Sequence, residues 1–520
     1  MYTERDSCSM PSSDRQMETV ETIGRTRSVC PECMSVIDAM LVRKDNKVLM
    51  IKDCPDHGQF TDMYFSDAGI YERFARFRDS GASLTNPMTA ETRGCPMDCG
   101  ICPNHRTQTL LANIDVTNRC NMHCPICFAN SERSGYVYEP TKEEIREMMA
   151  RLRAEKPVAC YAVQFAGGEP TVRDDLPELI EMAKQMGFIQ AQIATNGVRM
   201  SQSKEYCEQL KRTLISTIYL QFDGITPEPY LAARGFNALP MKHKAIANAR
   251  AVRLGGIVLV PTLVKGVNDQ QIFDIVQYGA DNIDVVRGVN FQPVSFTGRI
   301  DRSELQRQRI TIPDFMEAIE KQSGGMVTRE DFFPVTCISA ISDLMEAWAN
   351  EPMVTFSVHP HCGAATYVFK EKGELLPVTR FVDVESMMEY LKKIGEKYRS
   401  SAGSRLTRFM VAERVVRALP KFVDTSKAPE GVDMIRVMKS FVKGGVGEAL
   451  VGFHERSMLI GAMHFMDPYN FDLDRVQSCG IHYATPDGRV VPFCTYNMLY
   501  REDVEKKFAR PAVKRDSPET

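Results

Sequence analysis

Three closely spaced cysteines form the stretch of this chain whose chemistry is easiest to read. Cys120, Cys124 and Cys127 have the spacing C-x3-C-x2-C. A four-iron cluster usually takes four cysteine thiolates. Three thiolates in one loop leave one iron free, so this loop predicts a [4Fe-4S] cluster that also binds a small molecule.

A glycine-rich loop follows further along the chain. An apolar run ends there in Gly167, Gly168, Glu169 and Pro170. With the cysteine triplet, this loop resembles the radical S-adenosylmethionine (SAM) superfamily. In that superfamily the free iron chelates the amino and carboxylate groups of SAM, and Gly-Gly-Glu-Pro holds the methionyl ammonium. The resemblance implies that the triplet is catalytic and that the loop binds SAM.

The residues around the last cysteine depart slightly from that superfamily. The position before it is commonly aromatic, but here it is Ile126, and Phe128 follows the cysteine. The backbone at this point usually contacts the adenine. The resemblance therefore implies that Ile126 and Phe128 belong to the cofactor site.

The thirteen cysteines that lie in clusters or turn-rich contexts, of sixteen in all, indicate further metal sites. Disulfides are rare in intracellular proteins, so ligation is the better interpretation. Cys30, Cys33 and Cys54 flank a predicted hairpin with strands over 35–42 and 47–52, as in a zinc ribbon or a rubredoxin-like iron site. The fourth ligand is either His57 or a distant thiol such as Cys95, and spacing does not separate zinc from iron.

A second C-x3-C-x2-C triplet consists of Cys95, Cys99 and Cys102. It follows polar residues, whereas the later triplet follows a predicted strand over 110–117. We therefore assign the earlier copy to an auxiliary cluster, with His105 as one option for its fourth ligand.

The middle of the chain predicts an α/β fold. Strands are expected over 110–117, 159–166, 189–195, 216–222, 256–264 and 286–292, and they alternate with helices. Such alternation indicates an open, partial (β/α)6 barrel that binds its ligand at the C-terminal ends of the strands. Besides Glu169, the polar residues at those ends are candidate cofactor ligands: Asn196, Gln221, Asp223 and Gln292.

The C-terminal region predicts helices over 313–322, 337–349, 384–398, 405–418 and 432–442, with a hairpin within 353–380. Near the end, Cys479 and Cys494 enclose a second hairpin that resembles the auxiliary-cluster hairpins of many radical SAM enzymes. We group Cys337, Cys362, Cys479 and Cys494 as the ligands of one further cluster, with structural zinc as the alternative.

Four regions follow from these assignments. Residues 1–28 are expected to be a disordered leader, and 29–108 an N-terminal metal and auxiliary-cluster domain. Residues 109–300 form the barrel, and 301–520 an α+β region that carries auxiliary-cluster ligands and covers the substrate.

The composition agrees with a globular cytoplasmic enzyme. The hydrophobic share is 43%, the charged share 25% and the net charge -3, which favours no nucleic-acid partner. The most apolar stretch, 254–264, is shorter than the roughly 20 residues of a membrane span. Peripheral membrane contact stays open.

The order of all these motifs resembles one subfamily, the archaeal tetraether lipid synthases and their relatives. That family is described with several four-iron clusters and a mononuclear iron. It joins the terminal methyl carbons of two phytanyl chains of archaeal diether lipids. The resemblance implies an isoprenoid lipid substrate and an electron donor such as ferredoxin or flavodoxin.

A terminal alkyl C–H is too weakly acidic for any protein base, so a radical cofactor suits this reaction. An auxiliary cluster would store the first alkyl unit while a second SAM reacts. The alternatives are a radical SAM enzyme that C-methylates a pterin-like cofactor or modifies a peptide, and a non-catalytic iron–sulfur electron carrier.

Overall fold

The computed structural model describes residues 21–131, 135–298, 300–442 and 453–510. At the N-terminus, four antiparallel strands form a separate sheet: β1 Glu21–Val29, β2 Val36–Lys44, β3 Lys47–Cys54 and β4 Gly58–Phe65. Asp45 and Asn46 turn between β2 and β3 with φ angles of 50° and 57°, as hairpin turns of this type require. The predicted hairpin is therefore present.

Residues 21–28 differ from the expectation of a disordered leader, because they form most of β1. The strand pairs with β2 from Glu21↔Arg43 to Val29↔Val36. It is an edge strand whose residues are mostly exposed or half-buried, so its polar composition looked like that of a leader. Residues 1–20, the remainder of the expected leader, lie outside the described residues.

The barrel strands confirm the predicted partial (β/α)6 fold. They are β5 Leu111–Thr117, β6 Ala162–Gly167, β7 Gln190–Thr195, β8 Thr217–Gln221, β9 Ile257–Val260 and, after the short β10 Thr262–Leu263, β11 Val286–Pro293. Consecutive members from β5 to β9, and then β11, pair in parallel. Their C-terminal ends therefore share one edge, where the predicted site residues lie.

Helices precede the barrel and connect its strands: α1 Ala68–Ala75, α2 Lys142–Arg153, α3 Leu176–Gln185, α4 Val198–Gln202, α5 Lys204–Arg212, α6 Pro227–Arg234, α7 Leu239–Ala251 and α8 Ile272–Asp281. The helix after the loop of Cys120, Cys124 and Cys127, α2, starts at a capping box. Its N-cap Thr141 accepts from the Glu144 N–H, and the Glu144 carboxylate accepts from the Thr141 N–H. This cap fixes where the loop gives way to the helix.

The sheet is wider than the sequence indicated. The strand β15 Ser457–Met463 adds in parallel to β11, and β16 Ile481–Ala484 adds in parallel to β5. Short antiparallel strands extend both sides: β12 Phe333–Pro334, β13 Gly363–Glu371, β14 Glu374–Pro377 and β17 Val490–Pro492. The C-terminal region is thus continuous with the barrel sheet, although we expected a separate α+β region that carries auxiliary-cluster ligands and covers the substrate.

The remaining helices are α9 Leu305–Gln308, α10 Ile312–Gln322, α11 Ser339–Ala349, α12 Val384–Tyr398, α13 Arg405–Ala418, α14 Met434–Val442, α15 Leu473–Gln477, α16 Phe493–Thr495 and α17 Arg501–Lys507. They include every helix predicted beyond the barrel. No described helix combines the length and apolar character that crossing a bilayer requires.

A buried arginine ties the N-terminal sheet to the C-terminal region. Arg309 donates to Asp62 of β4 and to Asp467, at 2.6 Å in each case. Asp467 also accepts from the Phe296 N–H after β11. The three side chains are buried or nearly so, and breaking such a network leaves uncompensated charge in the interior.

We expect R309M to lower the free energy of unfolding by about 3–5 kcal/mol, because both carboxylates stay buried without their cation. Urea unfolding of the anaerobic protein measures this loss. The control is R307M, because Arg307 is largely exposed and its ion-pair partner among the described residues is Glu304; its effect should stay within about 1 kcal/mol. Equal effects of the two variants would contradict a buried network.

Candidate active site and metal centres

A cavity lies at the C-terminal ends of the barrel strands, and Cys120, Cys124 and Cys127 line it. Most predicted cofactor residues share that wall: Ile126, Phe128, Gly167, Gly168, Glu169, Asn196, Gln221 and Gln292. Of the described residues predicted to bind SAM, Pro170 and Asp223 are not part of the wall. Pro170 begins a short helical turn behind the glycine-rich loop.

Burial disfavours the thiolate forms of Cys120 and Cys124 in the cysteine triplet. It raises the pKa of Cys120 to about 12, and the nearby Glu169 carboxylate acts in the same direction. Burial also raises the pKa of Cys124. Cluster binding must therefore release protons from these thiols.

The glycine-rich loop packs directly on the backbone before the cysteine triplet. The Gly168 N–H donates to the Thr117 carbonyl at 2.8 Å, and the Glu169 N–H donates to the Arg119 carbonyl at 2.9 Å. A Cβ on Gly167 would overlap the Thr117 carbonyl, and one on Gly168 would overlap that of Arg119. Glycine is required here because two backbones meet without space for a side chain.

Glu169 is held rigidly at the bottom of the site. One carboxylate oxygen accepts from the Thr171 N–H and hydroxyl and from the Thr195 hydroxyl at 2.7 Å. The other accepts from the Asn196 N–H at 2.7 Å. Burial raises the pKa of this carboxyl group. No described residue forms an ion pair with the Glu169 carboxylate. The site therefore suits a ligand that brings a positive charge.

Asp223 supports the cysteine loop through an arginine. Both of its carboxylate oxygens accept from Arg234, at 2.7 and 2.8 Å, and Arg234 donates to the Ile126 carbonyl at 3.0 Å. Asp223 is fully buried. The predicted cofactor ligand thus acts on the backbone between two of the cluster thiols.

Two supporting residues were not predicted from the sequence. Arg234 is one, and buried Lys242 is the other. Lys242 donates to the Asn196 carbonyl and to Gln221 Oε1 at 2.8 Å. Burial lowers its pKa to about 7. No motif marked either residue, because both lie on helix positions that are ordinary in sequence and meet the site only in the fold.

The four ligands expected for the N-terminal metal converge, with His57 rather than Cys95 as the fourth. Ligand atoms of Cys30, Cys33, Cys54 and His57 lie within 4.8 Å of one another. The Cys33 and Cys54 sulfurs are 3.9 Å apart, and His57 Nδ1 is 3.5 Å from Cys54 Sγ. Tetrahedral zinc places two thiolate sulfurs about 3.8 Å apart, so these residues fit a zinc ion.

The second triplet lies against the C-terminal helices. A hydrogen bond with the Cys95 side chain raises the pKa of the Cys99 thiol, and burial acts in the same direction. The Cys99 N–H donates to the Tyr500 hydroxyl at 3.3 Å. His105 Nε2 is instead 2.8 Å from the Cys479 carbonyl oxygen and 3.1 Å from His482 Nε2. This ring nitrogen of His105 therefore contacts the C-terminal region and not the cysteines of the triplet.

Two strand pairings bring three of the four thiols predicted for the last cluster near one another. Pairing of Gly363 with Met463 brings Cys362 beside β15, and pairing of β16 with β17 brings Cys479 close to Cys494. Burial raises the pKa of Cys479 to about 11, and the neighbouring Cys362 thiol acts in the same direction.

Cys337 shows no interaction with these three thiols among the described contacts. It lies in the turn before α11, and burial alone raises its pKa to about 12. The structure thus brings together Cys362, Cys479 and Cys494, and membership of Cys337 stays a prediction.

We expect E169Q to weaken SAM binding by about 10–100-fold, because hydrogen bonds to a charged partner contribute about 1.5–3 kcal/mol. Anaerobic calorimetry on the cluster-loaded protein measures the affinity. The matched control is E143Q, on the exposed side of α2. Unchanged affinity in E169Q would contradict a role for this carboxylate in binding the cation.

We expect H57A to lose about one equivalent of zinc per chain, because a structural zinc site needs four ligands. H57C should retain the metal with four thiolates. Elemental analysis of purified protein measures the content. The control is C95S; loss of this zinc in C95S but not in H57A would make Cys95 the fourth ligand.

Comparison with known proteins agrees with these sites. The model of the radical SAM superfamily matches residues 114–279, and that of the HMPTM N-terminal zinc ribbon domain matches 22–66. The latter match supports zinc at Cys30, Cys33, Cys54 and His57.

Relatives and solved structures differ widely in their likeness to the chain. The 7,8-dihydro-6-hydroxymethylpterin dimethyltransferase of Methanocaldococcus jannaschii is 50% identical over 94% of this chain and 96% of its own length. A GTP 3',8-cyclase of Clostridium acetobutylicum is 23% identical over 43% of this chain and 64% of its length. The crystal structure of Streptococcus suis SuiB bound to its precursor peptide covers 42% of this chain and 48% of its own, with 18% identity and a TM-score of 0.33.

The 50% identical relative does not support the resemblance to tetraether lipid synthases, and its name favours the alternative of C-methylation. The chain belongs to the radical SAM superfamily and, within it, to the family of the archaeal 7,8-dihydro-6-hydroxymethylpterin dimethyltransferase.

Proposed function

We propose that the protein is a radical SAM enzyme that methylates carbon atoms of a reduced pterin. The observation that carries the substrate class is the 50% identity over nearly the full length of both chains. The cysteine loop and the isolated charge of Glu169 support the radical chemistry.

Neutral amides inside the barrel support a heterocyclic substrate. Gln192 donates to Gln164 at 2.8 Å, and Gln164 donates to Asn113 at 2.7 Å. Asn113 and Gln164 line the cavity, where Asn113 Nδ2 is buried without a hydrogen-bond partner among the described residues. A buried unpaired donor is costly. A pterin, which presents several ring nitrogens and a carbonyl, would satisfy it.

The residues of the chain hold the reactants and exclude water. When bound, the cluster and SAM supply a 5'-deoxyadenosyl radical that takes hydrogen from carbon. Glu169 orients the cation of SAM, and Arg234 holds the Ile126 carbonyl in the cysteine loop. The apolar side chains of Phe465 and Phe493, stacked with centroids 4.0 Å apart, close the opposite wall.

The proposed methylation balances with SAM as both radical source and methyl donor. A substrate C–H, two SAM and two electrons give a C–CH3 product, 5'-deoxyadenosine, methionine and S-adenosylhomocysteine. A low-potential donor of the ferredoxin or flavodoxin type supplies the electrons. The removed hydrogen ends in 5'-deoxyadenosine.

We expect the reconstituted enzyme, incubated anaerobically with SAM, reductant and 7,8-dihydro-6-hydroxymethylpterin, to add the mass of one CH2 per methylation. C120S should abolish both this gain and 5'-deoxyadenosine, because a cluster ligand is lost. The control C207A removes a buried thiol on α5, outside the cavity. Mass spectrometry with SAM deuterated at the methyl group identifies the donor. Formation of 5'-deoxyadenosine with no mass gain in any pterin would contradict the proposal.

The apolar wall of the cavity favours a second candidate, the coupling of alkyl chain ends. Met463, Phe465, Met466, Ile481 and Phe493 line one side, and such side chains suit a hydrocarbon. In this reading the substrate is an isoprenoid diether lipid, taken up at the membrane periphery. A lipid arm of the same assay separates the two functions, since coupling removes two hydrogens and adds no carbon. An electron carrier would cleave no SAM in either arm.

A further inference from the structure

Five arginines are buried in the described part of the chain, and four of them pair with a carboxylate. The pairs are Arg173 with Asp175, Arg234 with Asp223, Arg309 with Asp467 and Arg501 with Asp115. The fifth is Arg475 on α15, with 2% of its surface exposed. A buried charge needs a partner of opposite sign, and the fold supplies a carboxylate for each of the other four arginines.

Arg475 has a different set of partners. Its Nη2 donates to the His464 carbonyl at 2.7 Å, and its Nε donates to Cys362 Sγ at 3.4 Å. The guanidinium also lies 5.8 Å from the centre of the Tyr64 ring. None of these groups carries a full negative charge while the thiol is protonated.

The neighbouring acidic residues are used elsewhere. Asp472 accepts from the hydroxyls of Thr26 and Tyr64, at 2.6 Å each. Asp474 pairs with Arg78 and Arg106. Neither is an ion-pair partner of Arg475 among the described contacts. The counter-charge must therefore come from the sulfur side of the guanidinium.

The guanidinium of Arg475 faces three thiols on this side, those of Cys362, Cys479 and Cys494. The Met466 N–H donates to Cys494 Sγ at 3.3 Å, so a second donor points at sulfur in the same place. N–H donors directed at two of the three sulfurs suit thiolates that ligate an iron–sulfur cluster. The donor set and the unpaired cation thus both fit an anionic metal centre here.

We propose that Arg475 is the counter-ion and positioning residue of this centre and raises its reduction potential by donating a hydrogen bond to the Cys362 thiolate. Reduction potentials of iron–sulfur clusters depend on net charge and on hydrogen bonds to sulfur. A fixed cation with an N–H donor stabilises the reduced cluster, which is the more negative state. This inference concerns electron supply to the cavity and is independent of the substrate.

The test is an EPR-monitored redox titration of the full-length reconstituted protein. We expect R475M to move the midpoint potential of one cluster signal to more negative values, since charge and donor are both removed. R475K, which keeps the charge but loses the planar donor, should shift the same signal by less.

The matched control is R106M. Arg106 pairs with Asp474, next to Arg475 in the chain, and its described side-chain bonds go to that residue alone. All midpoint potentials should stay at their wild-type values in R106M. Wild-type potentials in R475M and R475K, whatever their thermal stability, would overturn the proposal and leave Arg475 as a packing residue. If R475M does not fold, the shift in R475K decides.

Discussion

Two sites of this protein, one at Glu169 and one at Arg475, depend on the same constraint, which is the cost of burying a charge without a partner. Burying an ion without a partner is costly, and the cost is tolerated where a ligand restores the balance. Glu169 is a rigidly bonded carboxylate at the end of the barrel, and Arg475 is a guanidinium beside three thiols. One site thus lacks a positive charge, and the other lacks a negative one. Ligand binding and folding stability are therefore linked at both sites.

The scaffold around the cavity keeps these charges dry. The zinc-ribbon sheet reaches the C-terminal region through Arg309, and Lys52 of β3 donates to the Pro468 carbonyl at 2.6 Å. The C-terminal region in turn contributes Phe465 and Phe493 to the cavity wall. Elements distant in sequence thus enclose one volume, and low dielectric there strengthens each electrostatic contact.

Local patterns predicted what depends on local physics. Strand and helix periodicity predicted the barrel, and tight cysteine spacing located the cluster loop and three ligands of the N-terminal metal. The Gly-Gly-Glu-Pro motif located Glu169. The pairing of strands that lie far apart in the sequence could not be predicted from these local patterns. The strand over 457–463, SMLIGAM, lacks alternation because both of its faces are covered, and the edge strand β1 reads as polar chain. Arg234 and Arg475 carry no sequence signal, since their meaning comes from partners more than a hundred residues away.

The two flanking strands β15 and β16 have a consequence for biogenesis. They cover the outer edges of β11 and β5, yet both are made after residue 456. During synthesis the barrel sheet therefore emerges from the ribosome with two open edges, which are prone to intermolecular pairing. Two of the three thiols beside Arg475, Cys479 and Cys494, also belong to these late segments. A site that joins all three thiols can therefore be completed only after nearly the whole polypeptide has been translated.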